Sequence, residues 1–241
     1  MTNHQSSHRL RAVLLASVLA STLLTTSAGA AEGGIYTFIQ AEEFGYRLGD
    51  EDSFNWDAQG WIGGDYHKLW FKTEGERVNG EGFEEAEAQV LYSRLISQFW
   101  DLQAGLRYDF EPQPERSFAV FGLHGLAPYW FEINAKAFIN DQGDLSARLE
   151  AEYELLLTQK LVLSPTLELN LAGGTDKERG VGSGFNDLEL SLTLRYEVIR
   201  EFAPYIGVVW EKQYGKTADL ARAEGMDIER TAFMAGFRFW F

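Results

Sequence analysis

The stretch "NDLELSLTLRYEV" alternates without a break. Leu188, Leu190, Leu192, Leu194, Tyr196 and Val198 share one face, and Asp187, Glu189, Ser191, Thr193, Arg195 and Glu197 share the other. A period of two is the mark of a β-strand, because successive side chains point to opposite sides of the backbone. "LVLSPTLELNL", "LSARLEAEYELLL", "YWFEINAKAFI" and "WDLQAGLRYDF" repeat the pattern. These runs are long. A strand in a soluble domain averages about five or six residues, whereas a tilted strand crossing a bilayer needs about 9–11. Glu84 to Gln89 is rich in helix formers, yet Glu85, Glu87 and Gln89 alternate with Ala86, Ala88 and Val90. A helical stripe would need spacings of three and four.

Twelve strands are predicted, at about 35–47, 54–63, 68–77, 84–95, 99–110, 117–126, 129–139, 144–157, 161–171, 186–199, 204–214 and 229–241. The links after even strands are short ("GDYH", "ISQ", "AP", "TQK", "REFA"). Most links after odd strands are longer and richer in Gly and acid, as in "AGGTDKERGVGSGF" and "GKTADLARAEGMDI". Short periplasmic turns at one rim and long extracellular loops at the other predict an all-β fold, a single antiparallel transmembrane β-barrel. Aromatic residues beside the short turns (Tyr92, Phe99, Trp100, Tyr129, Trp130, Phe202, Tyr205) suit the headgroup level. Pro165 falls inside a strand and predicts a bulge there.

Residues 1–30 read as a cleaved signal peptide. A basic start (Arg9, Arg11) precedes an apolar run from Val13 to Leu24 and a small-residue end at Ala28-Gly29-Ala30. The barrel then occupies 31–241. Removing the leader takes away two of 21 basic residues and none of 36 acidic ones, so the formal charge moves from −15 to −17. Such a balance excludes nucleic acid as a partner. The absence of cysteine excludes a disulfide-stapled scaffold and a thiolate metal site. The expected location is the outer membrane, with its lipid as the surrounding solvent.

"WDAQGWIGGDYHKLWFKTEGE", "AEAQVLYSRLISQFWDLQAGLRYDF", "GLAPYWFEI", "LEAEYELLLTQKLVL", "GSGFNDLELSLTLRYEVIREFAPYIGVVWE" and "GFRFWF" follow one another along the chain. In this order they resemble the copper resistance protein B family, from about residue 35 to the C-terminus. The resemblance implies an outer-membrane barrel of Gram-negative bacteria that binds copper or passes it on within a periplasmic copper resistance system, with periplasmic copper-handling proteins as partners. Family members often carry a Met- and His-rich segment before the barrel. Here "EGGIYTF" leads directly into the first strand, and only Met226, Met234, His67 and His124 follow the leader.

By alternation, the face turned from lipid is acidic, with Lys and Arg interspersed. His124 and Met234 are the soft-leaning ligands predicted to face this lumen, and together they are a candidate copper site, since imidazole suits Cu(II) and thioether suits Cu(I). His67, near Asp65 in a short turn, is a further candidate; Met226 falls in a long loop and is a weaker one. No nucleotide loop, zinc-type His pair or nucleophile elbow is present, so no catalysis is expected. The other functional class open at this point is a passive or structural acidic-lumen barrel with no dedicated copper role. The chain closes on "RTAFMAGFRFWF", which puts Phe233, Phe237, Phe239 and Phe241 toward lipid. It reads as the seam strand, with Phe241 as the signal for the outer-membrane assembly machinery.

Overall fold

The computed structural model describes residues 34–49, 51–80 and 82–241. The leader expected at 1–30 lies outside them. The strands are β1 (Tyr36–Leu48), β2 (Ser53–Gly63), β3 (His67–Val78), β4 (Gly82–Ser97), β5 (Trp100–Glu111), β6 (Arg116–Ala127) and β7 (Phe131–Asn140). They continue as β8 (Leu145–Glu152), β9 (Leu155–Leu156), β10 (Leu161–Ala172), β11 (Gly184–Tyr196), β12 (Phe202–Gln213) and β13 (Glu229–Trp240). All pairings are antiparallel, and β13 pairs with β1 to close the ring. The seam continues to the last residue. Phe241 donates to the Ile39 carbonyl at 2.8 Å and accepts from the Ile39 amide at 3.0 Å. Among the described residues the closed ring leaves no free edge strand for another chain to pair with.

β8 and β9 are two pieces of one strand. Thr166 of β10 faces Glu152, and Leu163 faces Leu155, in one unbroken register. The ring therefore has twelve strand positions. The interruption lies opposite Pro165, and it corrects the expected bulge. β10 runs past Pro165 against β11 without a register shift. Because Pro has no N–H to donate, the ladder lapses on the β8–β9 side instead, where only the Tyr153 amide reaches the Pro165 carbonyl, at 3.1 Å.

A bulge does occur in β1, where the register slips between Ala41 and Glu43. It turns two consecutive acids inward. Glu42 accepts from Gln59 at 2.7 Å, and Glu43 pairs with Arg47 at 3.2 Å.

The outer wall carries Phe71, Val90, Tyr92, Leu106, Phe121, Ile206, Phe233 and Phe237, all exposed. In water such a surface would aggregate; in a bilayer it is the apolar band of a membrane barrel. The buried polar residues, Glu87, Gln89, Gln103, Asp109, Lys136 and Arg148 among them, face the interior.

Two features depart from a plain barrel. A ladder row of apolar side chains crosses the lumen wall: Trp61 faces Trp70, Trp70 faces Leu91, Val120 faces Phe138, and Gly105 lies between Leu91 and Val120. The second is a helix, α1 (Gly215–Glu224), inside the link expected to be loop. Gly225, at φ 81°, ends it in the left-handed conformation that glycine adopts at least cost. α1 buries Thr217, Ala218 and Ala221. It packs so closely on the 173–183 loop that a Cβ on Gly182 would lie 2.3 Å from the Thr217 amide nitrogen.

Candidate functional site

The interior encloses a cavity of about 600 Å³ in which acidic side chains outnumber Arg and Lys roughly two to one. The cations present reach across the ring. Arg148 of β8 pairs with Glu74 of β3, with Glu87 of β4 at 3.4 Å and with Glu168 of β10 at 3.4 Å. Arg107 binds Glu87 and Asp109, each at 2.5 Å. Arg47 of β1 reaches Glu189 of β11 at 3.0 Å, and Arg230 of β13 reaches Glu76 of β3 at 3.3 Å.

The 173–183 loop folds toward the same network. Its Arg179 meets Asp109 at 2.8 Å, and its Asp176 meets Arg116 at 3.0 Å. The loop is tied in turn to α1, because the Gly182 amide donates to the Thr217 hydroxyl at 3.0 Å. Long-loop elements are thereby pinned to the wall at the extracellular side.

Among the described residues, Glu74, Glu85 and Glu87 bring carboxylate oxygens within 4.8 Å of one another, as metal ligands do. Arg148 and Arg107 already stand among them. Charges this buried are tolerated when paired and hydrogen-bonded, so this cluster holds its own counter-cations.

His124 faces the lumen, as the alternation predicts. Its Nε2 lies 3.1 Å from Glu132 Oε1, and its ring stands edge-on to Trp70 with centroids 5.6 Å apart. The β6–β7 turn sets this pair. Tyr129 and Trp130 both have φ of 68°, the left-handed values that the tightest hairpin turns require and that bulky residues rarely adopt. The turn leaves His124 opposite Asn134, and Asn134 opposite Glu150 on β8.

Met234 also faces inward, and is buried with Tyr205, Val209 and Ala232. It sits on β13, six ring positions from β6 in either direction. His124 and Met234 border the same cavity from strands half a ring apart, each with its own packing partners. His67 sits on the outer face at the short-turn rim. Its ring stacks on Tyr92, and Nδ1 lies 2.6 Å from the Tyr92 hydroxyl. The exposed Met226 follows α1, its amide donating to the Ala221 carbonyl at 2.9 Å.

Two lumen features escape the sequence pattern. Glu42 and Glu43 depend on the bulge, which nothing in "QAEEFGY" announces. The inward aromatics were hidden by apolar neighbours on both sides, although "KLWFK" places Trp70 in phase with Lys68 and Lys72, and each Lys lies over a Trp ring, at 5.2 Å from Trp61 and 5.5 Å from Trp70.

A closed ring with an apolar outside, a charged inside and short turns at one rim defines an outer-membrane β-barrel. The fold is similar to that of the NanC porin, with a TM-score of 0.55 at 14% identity, over 85% of this chain and 99% of that one. Residues 35–241 match the family described as copper resistance protein B precursor (CopB), and the chain belongs to that family. It is 45% identical to the copper resistance protein B homolog of Pseudomonas syringae pv. tomato over 87% of its own length and 71% of that protein's. It is 47% identical to copper resistance protein B of Escherichia coli over 81% of its own length and 66% of that protein's.

Proposed function

We propose that the barrel binds copper ions in its lumen and passes them at the outer membrane. The observation that carries this reading is the cavity itself: an acidic lumen surface with a lumen-facing imidazole, in a member of a copper resistance family. Excess carboxylate raises the local cation concentration, and imidazole gives copper an advantage over the harder ions that carboxylates alone would favour. His124 is proposed as the principal contact residue, with Met234 and His67 as separate, weaker ones. Phe241 is proposed as the contact for the outer-membrane assembly machinery, and the short-turn rim as the side facing periplasmic copper-handling proteins.

The test is genetic and direct. A strain lacking the gene is expected to change its copper tolerance, and the native gene to restore it. Purified barrel is expected to bind copper more tightly than a His67→Ala, His124→Ala, Met234→Ala triple variant. Unchanged tolerance together with no binding by either protein would leave a passive acidic-lumen barrel, a reading to which the arginine bridges across the lumen lend support.

A further inference from the structure

We propose that His124 Nε2, the Glu132 carboxylate and Asn134 Oδ1 form a site for oxidised copper, Cu(II), on the short-turn side of the lumen. The proposal rests on the reading that this barrel handles copper; it names the oxidation state and the ligands.

The first observation is a distance. Imidazole and carboxylate ligands lie about 2.0 Å from a first-row divalent ion, so two of them on one ion sit roughly 2.8–3.3 Å apart. His124 Nε2 and Glu132 Oε1 are 3.1 Å apart. They are held by the tight β6–β7 turn and by the Trp70 ring against the imidazole, so little needs to move when an ion replaces the shared proton.

The second observation is independent of any carboxylate. Asn134 is 7% exposed, and its Oδ1 has no hydrogen-bond partner. Its Nδ2 donates to Glu150 Oε2 at 2.8 Å, toward β8. The register partner of Asn134 on the other side, on β6, is His124. A buried oxygen left unsatisfied is destabilising. A cation beside His124 and Glu132 would satisfy it. Glu150 fixes the amide, as outer-shell carboxylates fix metal ligands. Of the neighbouring cations, Lys136 lies 3.9 Å from Glu150, Arg238 bonds Glu154 at 3.0 Å, and Lys72 sits over the Trp70 ring at 5.5 Å.

One imidazole nitrogen with two oxygens is a borderline-to-hard donor set. It suits Cu(II), which also binds most tightly among the first-row divalent ions. It offers Cu(I) no soft atom.

The experiment is Cu(II) titration of the purified, detergent-folded chain, read by electron paramagnetic resonance. The native protein is expected to show coupling to a single imidazole nitrogen. His124→Gln is expected to lose that coupling. Asn134→Leu is expected to keep it with binding about 10–100-fold weaker. Heat-dependent gel migration checks that each variant is folded. Nitrogen coupling that survives in His124→Gln, or is absent from the native protein, would overturn the site. So would an unaltered Asn134→Leu, which is the result if a water satisfies Oδ1 instead. These readouts are separate from copper tolerance. A strain whose tolerance depends on the gene, with coupling unchanged in His124→Gln, would sink this site and leave the proposed function standing.

Discussion

Two acidic pockets share one lumen and differ in what fills them. Around Glu74, Glu85 and Glu87, carboxylate oxygens crowd within 4.8 Å, and the guanidinium groups of Arg148 and Arg107 occupy the space between strands. Around His124, Glu132 and Asn134 the acids are fewer, no Arg or Lys bonds Glu132 among the described residues, and one buried amide oxygen faces nothing. By carboxylate density alone the first pocket is the better metal site. By charge already present it is the worse one, because its cations are built into the chain. The contrast teaches that an ion site is marked by a missing partner more than by an abundance of ligands.

The contrast breaks most sharply at Arg148. Replacing it with Met leaves Glu74, Glu87 and Glu168 buried without their shared cation. Removing one partner of a buried ionic network costs about 3–5 kcal/mol. Arg148→Met is therefore expected to lose its compact gel migration at a lower temperature than the native barrel. Calcium, a hard ion suited to carboxylates, is expected to restore part of the loss in the variant and to leave the native protein unmoved. Native stability in Arg148→Met, with or without calcium, would show that the arginine does not hold the first pocket closed.

A smaller effect is expected where the pinned loop meets the helix. Gly182 lies against the backbone of Lys216 and Thr217, with no room for a Cβ. Gly182→Val should force the 173–183 loop off α1, at roughly 1–3 kcal/mol for an overpacked contact. Asp109 would then lose the bridge from Arg179. Planar-bilayer recordings are expected to show higher conductance for the variant than for the native barrel. Equal conductance would show that the loop contributes nothing to closing the extracellular side.

The wall was legible in the sequence, and the filling was legible only in part. Alternation over Leu188–Val198 fixes which residues meet lipid, because a one-residue slip would turn every Leu of that run into the charged interior. His124 and Met234 fell on the inner face by the same logic. Partners across the lumen are a different matter. Arg148 and Glu74 are 74 residues apart, and which carboxylates an inward arginine meets depends on how the ring closes, which no local period encodes. Glu42 turned inward through a bulge, and α1 formed in a segment whose turn-rich ends read as loop. The common inward phase of His124 and Met234 was readable, and so was their placement half a ring apart, on the sixth and twelfth of twelve expected strands.

Met234 offers the mildest test. Its side chain is buried against Tyr205 and Val209, so replacing it with Leu keeps volume and apolar character and should cost less than about 1.5 kcal/mol. If its thioether also contacts copper, the loss should appear with Cu(I) alone, because sulfur prefers the reduced ion while the oxygen and nitrogen donors near His124 prefer the oxidised one. Met234→Leu is therefore expected to bind Cu(II) as the native protein does and to release Cu(I) to a competing chelator at lower chelator concentration. Equal Cu(I) retention would confine Met234 to packing. A change with Cu(II) instead would mean that the two walls act on one ion, against their separation in the ring.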